Sequence, residues 1–144
     1  MSLEGIDDDA LRASVQVDAA SLLGAAGCED CELSIVLCSD EHIRPLNLSW
    51  RGKDAATDVL SFPQEDQVLL GDLVVSVDTA ARQAAERDHS LGDELRVLLV
   101  HGLLHLLGYD HETSREDLEE MSLAEAKLMK RLRWTGEGLI SAVS

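Results

Sequence analysis

Leu95-Arg-Val-Leu-Leu-Val-His101-Gly-Leu-Leu-His105-Leu-Leu107-Gly108-Tyr-Asp110-His111 is the stretch that decides how this chain folds. Leu95, Val97, Leu98, Leu99, Val100, Leu103, Leu104, Leu106 and Leu107 leave a helix of this segment apolar almost all round, which places it at the centre of a domain. Two imidazoles four residues apart, His101 and His105, then lie one above the other on a single helix face. Gly108 supplies a helix end, and Tyr109-Asp110-His111 turns a third imidazole back toward the first two. A lone histidine on a buried helix is ordinarily satisfied by backbone carbonyls. Two on one turn, with a third after a glycine reversal, are costly to bury without a shared partner. His101, His105 and His111 therefore read as ligands of one divalent metal ion of the zinc type, with a fourth position left open. The spacing also matches the long zinc-protease pattern H-E-x-x-H-x-x-G-x-x-H, except that Gly102 stands where the protease carries its catalytic glutamate. Peptide hydrolysis thus lacks its general base. Gly102 itself costs about 1 kcal/mol inside a helix. Either access to the metal or tight packing against a strand accounts for it.

Working outward, Asp7–Asp9 can cap a helix over about 10–26, stopped by Gly27. Glu32–Cys38 alternates and then turns apolar, as a strand entering a core does. Ser39-Asp40 can cap a second helix over about 40–51, which Pro45 should kink or delay. Thr57–Phe62 and Leu69–Val77 read as strands, Asp78–Arg87 as a helix, and the central helix starts at Ser90 or Asp93. Thr113-Ser-Arg-Glu116 is a capping box for a last helix to about Arg133. Its acidic start and basic end suit the helix dipole, and Leu118, Met121, Leu128 and Leu132 form its buried stripe. No strand is evident before residue 10. The fold class is α+β: a small mixed β-sheet of about four strands packed with about five helices, the central one carrying the metal site. Residues 1–144 read as a single metal-dependent hydrolase domain, with 1–9 and 134–144 as loosely ordered tails.

Composition narrows the function. The 144 residues, 45% of them apolar, suffice for one ordinary core. Trp50, Phe62, Tyr109 and Trp134 are the only aromatic residues, too few for a base-stacking RRM or OB sheet. The longest apolar stretch, Val97–Leu107, is broken by two histidines and too short for a bilayer, so no membrane role is expected. Met1–Asp9 does not read as a secretory signal. Three cysteines argue against a disulfide framework. Cys28-Glu-Asp-Cys31 reads as two reduced thiols before a strand, and the chain as cytoplasmic. His42 and His89 read as surface residues.

His101-Gly-Leu-Leu-His105-Leu-Leu-Gly-Tyr-Asp-His111 resembles the signature of the YbeY endoribonuclease family. Leu46-Asn-Leu-Ser-Trp-Arg51-Gly-Lys-Asp54-Ala-Ala-Thr57-Asp-Val-Leu-Ser-Phe-Pro63 and Leu70-Gly-Asp-Leu-Val-Val-Ser76 agree with it in order, so the similarity spans about residues 30–133. The resemblance implies a four-stranded mixed sheet and a three-histidine site for one divalent ion, taken as zinc. It also implies single-strand-specific cleavage of RNA in rRNA maturation, at the 16S 3′ end, and in ribosome quality control. Single-stranded RNA and the ribosomal small subunit or its proteins are the implied partners. Carried over onto this chain, His101, His105 and His111 are the metal ligands and Arg51 is the catalytic arginine of the cleft. Two departures stand out: the missing N-terminal strand, and Ala56 where a proline commonly precedes the Thr-Asp pair.

A formal charge of −16 repels a polyanion and makes long-range steering poor. The cations are unevenly spread, however. Arg44, Arg51 and Lys53 fall in a stretch without acids, as do the four between Lys127 and Arg133. Arg51, with a guanidinium that pairs bidentately with phosphate, is the stronger contact. The expected mechanism has the metal polarising the scissile phosphoryl oxygen or activating a water, Arg51 stabilising charge on the phosphate, and Asp110 orienting an imidazole. Two other classes fit the same motif: a ribosome-associated binding module whose metal is structural, and a metallohydrolase acting on another substrate such as peptide.

Overall fold

Strand β2 (Glu32–Cys38) and strand β4 (Leu69–Ser76) pair in parallel at the middle of the sheet, with Ile35 opposite Leu73 and Val36 opposite Val74. Both strands bury apolar residues on both faces, as a sheet covered on both sides requires. On one face Leu33, Ile35, Leu37, Leu73 and Val75 join the main core. On the other Cys38, Val74 and Leu60 form a smaller cluster with Ile43. The structure, a computed structural model, describes residues 2–5, 8–64, 69–109 and 114–134.

The elements run β1 (Ser2–Gly5), α1 (Asp9–Ala25), β2, α2 (Asp40–Arg51), β3 (Val59–Pro63), β4, α3 (Val77–Glu86), α4 (Leu91–Leu106) and α5 (Arg115–Leu132). Sheet order is β1-β2-β4-β3, with β1 parallel to β2 and β3 antiparallel to β4. The strand at Ser2–Gly5 corrects the reading that none precedes residue 10. Four residues carry almost no pattern, and it is pairing with Ser34–Leu37 that makes them a strand. Helix α2 covers the small-cluster face through Ile43 and Leu46, while α1, α4 and α5 cover the other.

Helix starts follow the expected chemistry. The side chains of Asp8, Ser39, Ser90 and Ser114 each accept from a backbone N–H three residues on. The last of these corrects the capping box by one position: Ser114 with Asp117 replaces Thr113 with Glu116, and Thr113 lies outside the described residues. Helix α2 begins at Asp40 without delay and runs through Pro45. The carbonyl that would have paired with Pro45 belongs to exposed Glu41, where water can satisfy it.

Two ion pairs fix the helices around the core. Arg96 donates to both oxygens of buried Asp18, at 3.0 and 3.3 Å, and its guanidinium lies 5.0 Å over the Trp134 ring. Trp134 is therefore packed, not part of a loose tail. Glu94, fully buried near the start of α4, accepts from Arg87 at 3.1 and 3.2 Å and meets the His89 ring at 2.5 Å. His89 is accordingly not a surface residue, whereas His42 is exposed. The short link between α3 and α4 folds His89 back onto the helix it precedes.

Candidate metal centre

Helix α4 buries His101 and leaves His105 half-buried. Their Nε2 atoms stand 3.1 Å apart and their rings meet edge to face, with centroids 4.7 Å apart. Two nitrogens at ordinary zinc distances and a tetrahedral angle are separated by about 3.3 Å. The pair therefore fits one small divalent ion. Behind it, Oε1 of fully buried Glu125 on α5 lies 3.5 Å from His101 Nδ1. Imidazoles that hold a metal ordinarily have such a carboxylate on the other ring nitrogen.

Glu125 was not singled out in the sequence. Its signal is positional: a carboxylate in the middle of the stripe Leu118, Met121, Leu128, Leu132, where an apolar residue belongs. His111 and Asp110 lie outside the described residues, so the third ligand and its neighbour are not placed. Among the described residues no group of three or more His, Cys, Asp and Glu side chains converges to hold a metal.

The position of α4 is set by two glycines. A Cβ on Gly102 would stand 2.8 Å from Leu73 Cδ2 and 3.3 Å from Cδ1. Of the two readings of Gly102, tight packing against a strand is the one the structure bears out. The same contact leaves no room for the glutamate of the zinc-protease pattern. Gly71, with φ at +151°, faces Leu106, whose Cδ2 a Cβ there would approach to 2.8 Å, and also the Phe62 carbonyl. Past His105 the helix ends on Leu107, and Tyr109 N–H returns to Leu104 O at 3.0 Å. Gly108 takes the left-handed φ of +102° this reversal needs. Leu107, Gly108 and Tyr109 line an open depression of about 400 Å³ with Asp117 and Glu120 of α5.

Arg51 is the exposed last residue of α2. Its neighbour Trp50 packs on Phe62 of β3, ring centroids 4.9 Å apart. Ser61, adjacent in β3, points to the opposite face and donates to Gly102 O at 3.1 Å. Edge strand β3 thus has the Arg51 end of α2 on one face and the His101 turn of α4 on the other. The basic stretch around Arg51 is weaker than its sequence suggests. Arg44 is held by Asp54, Nε to Oδ1 at 2.8 Å and Nη2 to Oδ2 at 3.2 Å, and that pair holds the Asp54 carboxyl below the usual carboxylate range. Lys127, Lys130, Arg131 and Arg133 are all exposed.

Comparison with known proteins places the chain in a family. Residues 4–133 match the family described as Endoribonuclease YbeY. The chain is 55% identical over 122 residues to the chloroplastic Endoribonuclease YBEY of Arabidopsis thaliana, covering 81% of this chain and 21% of that protein. It is 52% identical over 128 residues to Endoribonuclease YbeY of Anaeromyxobacter sp., covering 86% of this chain and 64% of that protein. The chain thus spans less than two thirds of these two relatives. Endoribonuclease YbeY of Aquifex aeolicus is 46% identical, with 76% of each chain covered. A solution structure from Thermotoga maritima superposes with a TM-score of 0.61 at 27% identity, covering 92% of this chain and 91% of that one. The chain belongs to the YbeY endoribonuclease family.

Proposed function

We propose that the chain is a metal-dependent, single-strand-specific endoribonuclease acting in the cytoplasm on ribosomal RNA. Its roles on this reading are maturation of the 16S 3′ end and ribosome quality control, with the small subunit or its proteins as partner. One divalent ion, zinc, is held by His101, His105 and His111. The observation that carries the reading is the 3.1 Å approach of two Nε2 atoms on α4, with a buried carboxylate behind one of them, in a member of this family. When bound, the ion supplies Lewis acidity toward a phosphoryl oxygen and acidifies water.

The chain's own residues supply the rest. His101 and His105 present their Nε2 atoms from a rigid helix, so little ordering remains to be done on binding. Arg51 stands at the exposed end of α2, where a polyanion can reach it. Its planar fork matches two phosphate oxygens and stabilises charge that grows there during cleavage. Asp110 orients a ligand imidazole. With a net charge of −16, affinity for RNA alone is low, and delivery by a ribosomal particle compensates for poor steering.

The test is cleavage of an end-labelled single-stranded rRNA segment by zinc-loaded wild type and by His105→Ala prepared identically. Cutting by wild type alone is expected. No cutting by either, or equal cutting by both, overturns the nuclease reading in favour of a binding module. Casein cleavage lost with His105→Ala would instead favour a peptidase.

A further inference from the structure

Glu125 is the one acidic residue in the core-facing stripe of α5. Leu118, Met121, Leu128, Met129 and Leu132 turn toward the core, and Glu125, as fully buried as Met121, takes the place of an apolar side chain among them. A carboxylate in that setting is strongly unfavourable without a partner that donates to it. His101 stands there: its side chain is 8% exposed and its Nδ1 lies 3.5 Å from Glu125 Oε1.

A carboxylate oxygen that accepts across this contact draws the ring proton to the nitrogen facing it, Nδ1. A neutral imidazole has one proton to place. If it sits on Nδ1, Nε2 is left with its lone pair, and Nε2 is the atom that stands 3.1 Å from Nε2 of His105. We infer that Glu125 is a positioning residue that fixes the tautomer and ring orientation of His101, presenting Nε2 as a ready ligand. The consequence for metal affinity rests on the zinc reading above; the tautomer does not.

The test separates the two. Ring ¹⁵N spectra of the metal-free protein at neutral pH report the His101 tautomer, and competition with a chelator reports zinc affinity. Wild type is expected to carry the His101 proton on Nδ1. Glu125→Leu completes the apolar stripe and stays folded, so thermal melting serves as its control. It is expected to lose the single tautomer and to bind zinc about 10–100-fold more weakly. Glu125→Gln keeps an accepting oxygen and is expected to restore the Nδ1–H tautomer and most of the affinity. The inference is overturned if wild type carries the proton on Nε2 or on both nitrogens. It is equally overturned if Glu125→Leu keeps both the tautomer and the affinity. Failure of wild type to bind zinc overturns the metal reading instead, and the ring spectra still decide the tautomer.

Discussion

Ser61 Oγ donates to the carbonyl of Gly102 at 3.1 Å, tying edge strand β3 to the residue that follows His101. The helix bearing the two imidazoles is seated against the sheet at its closest point by a polar contact beside an absent side chain.

Gly102→Ala should therefore destabilise the protein. The added methyl meets buried Leu73 at 2.8 Å, overpacking that costs about 1–3 kcal/mol, against about 1 kcal/mol gained in helix propensity. A net loss of about 1 kcal/mol is expected from the urea midpoint at unchanged slope. Gly71→Ala meets backbone as well as Leu106 at a strained φ, and should cost more than Gly102→Ala. Equal or greater stability of either variant contradicts the packing described.

Arg51→Glu should leave the zinc content as it is, because the residue stands at the end of α2, across β3 from the His101 turn of α4. Cleavage of single-stranded RNA should fall by about 100-fold, the scale set by removing one donor to a charged transition state. Unchanged cleavage removes Arg51 from the mechanism.

The three thiols should differ in reactivity. Burial pushes the Cys38 thiol up to about 11, with the Asp40 and Asp78 charges adding to it. Burial, a hydrogen bond with Cys31 and its charge also raise Cys28. Since the thiolate is the reactive form, iodoacetamide at about pH 8 should spare Cys38 until denaturant is added. Peptide mass spectrometry reads this directly, and Cys38 labelled as fast as Cys31 in folded protein would contradict it.

Acid should loosen the junction of β4 with α2 and α3. Asp40 accepts from Ser76 and Thr79, each at 2.6 Å, and pairs with Arg82 at 2.8 Å. The two hydroxyls, more than Arg82, hold its carboxyl below the usual range. A depressed folded-state pKa contributes stability that is complete above the unfolded value and is lost as pH falls through it toward the folded one. As pH falls below the usual carboxylate range wild type should lose this share of its stability, while Asp40→Asn should start less stable and show a flatter acid limb. Parallel acid limbs for the two proteins would exclude the contribution.

What was legible in the sequence was local. The imidazole pair at i, i+4, the glycine reversal after it and most helix starts depend on residues a few positions apart. Glu125 was invisible for the opposite reason: its partner lies 24 residues away, and only the docking of α5 on α4 turns a misplaced carboxylate into a partner for His101. Similarly, β1 exists through its pairing with β2, and His89 is half-buried because the chain folds it onto Glu94. Arg44 looked like a free cation because the acid that holds it, Asp54, falls one residue past the basic stretch.

Glu94, with Arg87 and His89 held against it, roots the start of α4, and Ser61 seats its middle on the sheet at Gly102. Beyond that seat the chain reaches Leu107 and Tyr109, which are exposed. His101 lies at the seat with Glu125 behind it, and His105 lies one turn nearer the exposed end. One imidazole of the pair is thus walled in by protein, and the other is the one that solvent reaches.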